Sequence, residues 1–193
     1  MTMDPAVNAW RKATRASLLE RRQALPPEAR QRAAETIAAR LDTIVATRGI
    51  TSIGLYWPIK QEINLLSWAN NLARRENIVL CLPVVVEPDA PLEYWRWIEG
   101  EALARGIWNI PVPARRDPIV PDLMLAPVVG FDRAHFRLGY GGGYFDRTLA
   151  SLPRRPVVIG VGYDFSALET IFPQPHDIPM DEVLTEHNTN SRT

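Results

Sequence analysis

The chain has 193 residues, 46% of them hydrophobic and 23% charged, with a formal net charge of +0 and a pI near 6.8. That length fits one domain over residues 1–193 with a sizeable core, and balanced charge excludes a global field favouring nucleic acid or an anionic membrane. No apolar run is long enough to span a bilayer and the start lacks a signal-peptide core, so the expectation is a cytoplasmic protein with no nucleic-acid or membrane partner; a monomer acting on small molecules is expected alongside, although the sequence does not decide the oligomeric state.

From Val7 to Ala24 the spacing predicts a helix with a sparse apolar stripe of Trp10, Leu18 and Leu19 and the basic residues Arg11, Lys12, Arg15, Arg21 and Arg22. Arg11 and Arg15 share one face with Lys12 beside them. Such a cluster would meet an anionic ligand with concentrated charge, although a solvated helix face accounts for the same pattern. Residues 1–25 are thus read as a basic N-terminal helix ended by Pro26 and Pro27. A second helix, Pro27 to about Thr47, carries Ala33, Ile37, Leu41, Ile44 and Val45 at core spacing and reads as structural.

Ser52 to Trp57 predicts the first strand, stopped by Pro58, and the loop Ile59-Lys60-Gln61-Glu62 leads into a helix capped at Asn64. A carboxylate where a parallel strand feeds a helix stands at the carboxyl edge of the sheet, the edge at which open α/β folds bind ligands. Glu62 is therefore a site candidate. A glutamate that only favours a helix dipole would occupy the same place. Ile78 to Leu82 is the next strand, with the sole cysteine, Cys81, as a small core side chain. Leu92 to Ile98 suggests an edge strand rich in aromatics. Ile107 to Pro113 is too proline-rich for a regular element, and its Trp108 could stack on a planar ligand or close the core. Ala114 to Pro121 looks like a linker.

Leu123 to Val129 reads as a buried strand, and after it comes Arg137-Leu138-Gly139-Tyr140-Gly141-Gly142-Gly143-Tyr144-Phe145-Asp146-Arg147, which opens a helix from Tyr144 to Leu152. Strand, glycine loop and helix N-terminus together can cradle phosphate, because residues without a Cβ let main-chain N–H groups approach a ligand. Arg137 and Arg147 would add charge for phosphate oxygens, and Asp146 could hold a bridging Mg²⁺. The pattern matches neither the P-loop nor the spaced dinucleotide motif, and a turn needed only for backbone geometry would also be glycine-rich. Pro156 to Tyr163 is a further buried strand, and residues 187–193 read as a frayed tail. Alternating strands and helices with nearly continuous apolar strands predict a three-layer αβα fold around a mostly parallel sheet.

Five segments together resemble the 5-formyltetrahydrofolate cyclo-ligases, also called methenyltetrahydrofolate synthetases. They are Arg11 to Arg15, Tyr56 to Glu62, Trp108-Asn109-Ile110-Pro111, the glycine stretch, and His176-Asp177 with Asp181 to Glu186. The resemblance implies ATP- and Mg²⁺-dependent closure of 5-formyltetrahydrofolate to 5,10-methenyltetrahydrofolate, with release of ADP and phosphate. It implies that Arg11, Lys12, Arg15 and the run Arg137, Leu138, Gly139, Tyr140, Gly141, Gly142, Gly143, Tyr144 and Phe145 contact ATP. Trp57, Glu62, Trp108 and Tyr140 to Tyr144 would contact the folate, Arg137, Tyr144 and Asp146 would serve the chemistry, and Asp146 and Asp177 the metal. The chain departs from the family pattern at Thr14, His135, Ser166 and Val84-Val85. These departures keep open an alternative, a non-catalytic relative that binds nucleotide or folate without turnover.

Overall fold

A computed structural model describes residues 4–187 and 189–191. In chain order the elements are α1 (Pro5–Gln23), α2 (Pro27–Arg48), β1 (Ser52–Gly54), α3 (Leu66–Glu76), β2 (Val79–Val84), β3 (Glu93–Arg96), β4 (Leu103–Arg105), β5 (Pro111–Pro113), β6 (Leu123–Pro127), β7 (Gly130–Asp132), β8 (Arg137–Leu138), α4 (Tyr144–Ser151), β9 (Val157–Val161), β10 (Ala167–Leu168), β11 (Glu182–Leu184) and β12 (Thr189–Ser191).

Seven strands form the main sheet in the order β12-β11-β9-β6-β1-β2-β3. The five inner strands run parallel, and β12 and β3 close the two edges antiparallel. Successive side chains of a strand point to opposite faces, and the core divides accordingly. Leu80, Leu82, Leu123 and Leu125 pack with Ile37 and Leu41 of α2 and Leu72 of α3 on one face. Cys81, Met124, Ala126 and Val158 pack with Leu149 of α4 on the other. These are the three layers expected. Strand order reverses between β1 and β6, so the loops leaving those two strands diverge and open a crevice between them, as the topology of doubly wound sheets requires.

Several segments fold differently from what their local pattern predicts. The segment from Ile107 to Pro113 is not irregular throughout, since Pro111–Pro113 pairs antiparallel with Leu103–Arg105 as a two-stranded ribbon. Proline is tolerated there because a lone ribbon leaves one side of each strand free of ladder bonds. The linker-like stretch is laid against the sheet edge, where Arg96 donates to the Asp117 carbonyl and Ile119 to that of Tyr94. A small three-stranded sheet, β10-β7-β8, was hidden in the approach to the glycine loop. The first strand ends at Gly54, and the helix after Glu62 has Leu65 at its cap position, with the Asn64 side chain accepting from the Leu66 amide at 3.0 Å. Of the tail expected to fray, Thr189–Ser191 forms the β12 edge, and residues 188, 192 and 193 lie outside the described residues.

At the sheet edge opposite the crevice, one carboxylate joins the two central strands. Asp122 Oδ2 accepts from the amides of Thr51 and Ser52 at 3.1 and 3.0 Å and from their hydroxyls at 2.7 and 2.9 Å. Arg154 donates to the other oxygen at 3.0 Å. Burial raises the Asp122 pKa, but these donors outweigh it and bring the group down to about 2. A depressed carboxylate pKa adds stability above the unfolded-state value of about 3.9, and that stability disappears as pH falls toward 2. We therefore expect Asp122→Ala to lose about 2 kcal/mol at neutral pH by urea unfolding, and the gap from the parent protein to shrink between about pH 4 and pH 2. A gap of unchanged size across that range would refute the assignment.

Candidate functional site

The glycine loop lies between the hairpin β7-β8 and α4. Its entry is set by His135, which is buried and holds a left-handed φ of 65°. A glycine would adopt that conformation without strain, so His135 carries a backbone cost at this position. Gly141 and Gly143 have φ of 97° and 65°, and Gly143 caps α4 with no side-chain hydrogen bond. The first-turn amides of α4 consequently face the loop without a side-chain acceptor, the arrangement that suits an anion.

Two arginines brace this loop. Arg137 forms a two-pronged pair with Asp146, at 3.2 and 2.6 Å, and its guanidinium lies 4.3 Å from the Phe145 ring centre. Asp146 Oδ1 also accepts from the Ile178 amide at 3.0 Å, which ties α4 to the segment carrying Asp177. Arg147 donates to the Gly142 carbonyl at 2.6 Å and covers the Tyr144 ring. Leu138 is buried, and its carbonyl accepts from the Val129 amide, so that residue serves the hairpin.

From the other side α1 presents Arg11, Arg15, Leu18 and Arg22, one stripe at helical spacing. Arg11 is 4% exposed, donating to the carbonyls of Ile171 and Phe172 at 3.0 Å each and to Asp177 Oδ2 at 2.5 Å. Arg15 donates to the Gly139 carbonyl at 2.7 Å and lies over Gly141, where an added Cβ would come within 3.5 Å of its guanidinium. Burial and the neighbouring Arg11 charge lower the Arg15 pKa. Of the three basic residues proposed from sequence, two point inward and Lys12 is exposed. Leu18 is the only buried member of the expected apolar stripe; the helix docks mainly through guanidinium groups.

Glu62 stands across the crevice. It is 7% exposed, with Oε2 accepting from the Ile59 amide at 2.9 Å and Oε1 from the Tyr140 hydroxyl at 2.8 Å. Burial raises the Glu62 pKa, opposed by these two donors and by Arg22 and Lys60. Lys60 and Gln61 hold left-handed φ of 46° and 61°, and the Lys60 ammonium lies 5.2 Å from the Tyr140 ring centre. A cleft of about 390 Å³ adjoins Glu62, with Lys60 and Arg30 among its walls. Trp108, 66% exposed and at φ 56°, stands at the ribbon tip with its ring edge-on to Tyr144 at 5.5 Å. Trp57 is half-buried against the core, edge-on to Trp97 at 6.3 Å.

The fold thus brings Glu62, Tyr140, Tyr144, Trp108, Arg11, Arg15, Arg137, Asp146 and Asp177 around the crevice and its glycine loop. The model of the 5-formyltetrahydrofolate cyclo-ligase family matches residues 7–186. The chain belongs to that family. Its relatives include the 5-formyltetrahydrofolate cyclo-ligase of Mycolicibacterium smegmatis, 30% identical over 89% of this chain and 91% of the relative. The Mycoplasma pneumoniae enzyme of that name is 26% identical over 90% and 97%. The NMR structure of Aquifex aeolicus 5,10-methenyltetrahydrofolate synthetase superposes with a TM-score of 0.81 at 28% identity, covering 94% of this chain and 92% of that one. Among the described residues no helix is long and apolar enough to cross a membrane.

One residue of this cyclo-ligase family member escaped the sequence reading as part of the site. Arg22 is 4% exposed and donates to the Tyr140 hydroxyl at 2.5 Å. Its place, one turn beyond Leu18 on the Arg11 and Arg15 face, was the available signal.

Breaking a buried ion pair leaves an uncompensated charge, which typically destabilises by roughly 3–5 kcal/mol. Asp177→Ala should therefore lower unfolding stability by about that amount, while Lys12→Ala should lie within about 0.5 kcal/mol of the parent. Equal effects in chemical denaturation would show that Arg11 does not anchor α1.

Proposed function

We propose that the chain is a 5-formyltetrahydrofolate cyclo-ligase that uses ATP with Mg²⁺ to form 5,10-methenyltetrahydrofolate. The observation that carries this reading is the Tyr140 side chain, which springs from the glycine loop and donates to Glu62 across the crevice. A phosphate cradle and a carboxylate suited to an N–H-rich heterocycle therefore meet at one residue.

The formyl group on N5 is amide-like, and its oxygen is a poor leaving group. Attack of that oxygen on the γ-phosphorus forms an O–P bond and breaks the bond to ADP. N10 then attacks the formyl carbon and gives up its proton, and phosphate leaves with the former formyl oxygen. Such a sequence requires alignment of the two ligands and compensation of moving phosphate charge. In this proposal Arg15 and the glycine-loop amides bind the triphosphate. Arg11 supports them through the Asp177 segment, and Arg137 and Tyr144 line the transfer point. Glu62 orients the pterin and Trp108 covers it.

The donors present fit a Mg²⁺ ion carried with the nucleotide. Among the described residues no group of three or more His, Cys, Asp and Glu side chains is placed to hold an ion unaided. Mg²⁺ commonly takes one or two carboxylates, with phosphate oxygens and water completing its octahedron. Asp146 and Asp177 would supply those carboxylates, the first after yielding part of its pairing with Arg137. Among the described residues, the charged neighbour of Asp177 Oδ1 is the exposed His176, at 3.9 Å. Held there, the ion would offset phosphate charge.

Mixing the protein with ATP, Mg²⁺ and 5-formyltetrahydrofolate should produce the methenyl absorbance, and omission of the metal should abolish it. Ligand binding without turnover in the complete mixture would favour the non-catalytic alternative. Asp146→Asn should raise the KM for Mg-ATP by roughly tenfold or more while folate affinity changes little, and Glu62→Gln should do the reverse. Two variants with parental kinetics would overturn these roles.

A further inference from the structure

A guanidinium that is 4% exposed must have its charge balanced nearby, yet among the described residues no carboxylate lies within ion-pair distance of Arg22. Its acceptors are neutral. Nε donates to the Lys60 carbonyl at 3.0 Å, Nη1 to the Val128 carbonyl at 3.3 Å, and Nη2 to the Tyr140 hydroxyl at 2.5 Å. That hydroxyl in turn donates a hydrogen bond to Glu62 Oε1 at 2.8 Å. The negative charge facing Arg22 is therefore the Glu62 carboxylate, one phenol away.

These contacts span every wall of the crevice. Lys60 belongs to the loop after β1, Val128 to the turn after β6, and Tyr140 to the glycine loop. The Tyr140 ring remains 41% exposed while its hydroxyl is tied down beneath. A ligand pressing on the ring would thus shift a group whose hydroxyl both Arg22 and Glu62 hold.

We propose that Arg22 is a positioning residue, acting through Tyr140 to keep Glu62 ionised and aimed and so coupling the glycine loop to the folate carboxylate. The inference rests on the cyclo-ligase reading above. Charged and titratable groups facing Glu62 are Arg22 from α1, Tyr140 from the glycine loop, Lys60 from its own loop, Tyr56 beyond β1 and Tyr163 beyond β9. Burial pushes Tyr56 well up and Tyr163 up to about 12. Both therefore stay neutral across the working range, leaving Arg22 and Lys60, with Arg30 on the wall of the adjoining cleft, as the positive neighbours.

The test is a double-mutant cycle of Arg22→Met and Tyr140→Phe on the full chain, with thermal unfolding run alongside. Readouts are 5-formyltetrahydrofolate affinity by calorimetry and the pH profile of kcat/KM. Arg22→Met should weaken folate binding by roughly tenfold, the scale of one lost hydrogen bond in a charged network. The acidic limb of the profile should move to higher pH, because Glu62 loses an influence that favours its anion. In the Tyr140→Phe background Arg22→Met should add less than about threefold. A merely structural Arg22 would scale the profile without moving the limb, and its effect would be fully additive with Tyr140→Phe. Either result overturns the proposal. If Arg22→Met does not fold, Tyr140→Phe alone decides: it severs the same link, so an unmoved acidic limb refutes the coupling. Failure of the parent protein to convert 5-formyltetrahydrofolate would instead sink the reading on which the inference rests.

Discussion

A buried guanidinium is held only where acceptors surround it, and α1 carries two such groups, Arg11 and Arg22, with the half-buried Arg15 between them on one stripe. A stripe at this spacing usually packs by apolar contact. Here each arginine reaches a different segment: Arg11 the 171–177 loop, Arg15 the glycine loop, and Arg22 the walls of the crevice. Polar docking of this kind is directional. It fixes distances among loops that no strand ladder connects directly, and leaves them little freedom to pack otherwise.

The parallel sheet supplies the frame on which that docking works. Reversal of strand order between β1 and β6 parts the Glu62 loop from the glycine loop, and Tyr140 closes the gap. On the opposite edge Asp122 gathers the starts of β1 and β6. One end of the sheet is thereby cross-linked by short polar contacts, and the other is opened for ligands. The Arg137–Asp146 pair and the Ile178 amide then carry the connection on to Asp177. The residues proposed to face phosphate and metal are thereby tied, through α1 and the glycine loop, to the carboxylate proposed to face folate.

Strain is concentrated at this same end. Lys60, Gln61, Trp108, Asn109, His135 and Phe172 all hold left-handed backbone angles without being glycine, and each such residue stores energy that the surrounding contacts must offset. Buried His135 retains a ring nitrogen, Nδ1, with no hydrogen-bond partner. The Arg137–Asp146 pair two residues further on forms nonetheless.

What the sequence determined by itself was whatever short-range pattern encodes. Uninterrupted apolar runs specified buried parallel strands, 3.6-residue spacing specified α2 and α3, and clustered glycines specified a close-approach loop before α4. The resemblance of five separated segments pointed to the family, because their order and residue types follow that family's pattern. Only the tertiary structure decided what pairs with what. Arg22 looked like one more exposed cation, since nothing local announces that Tyr140, more than a hundred residues later, supplies its acceptor. Asp146 and Asp177 looked free for a metal, whereas folding sets each against an arginine. Burial and long-range hydrogen bonding are properties of the folded arrangement, and the charge balance behind the roles proposed for Glu62, Arg22 and Asp146 arises only when distant segments exclude water together.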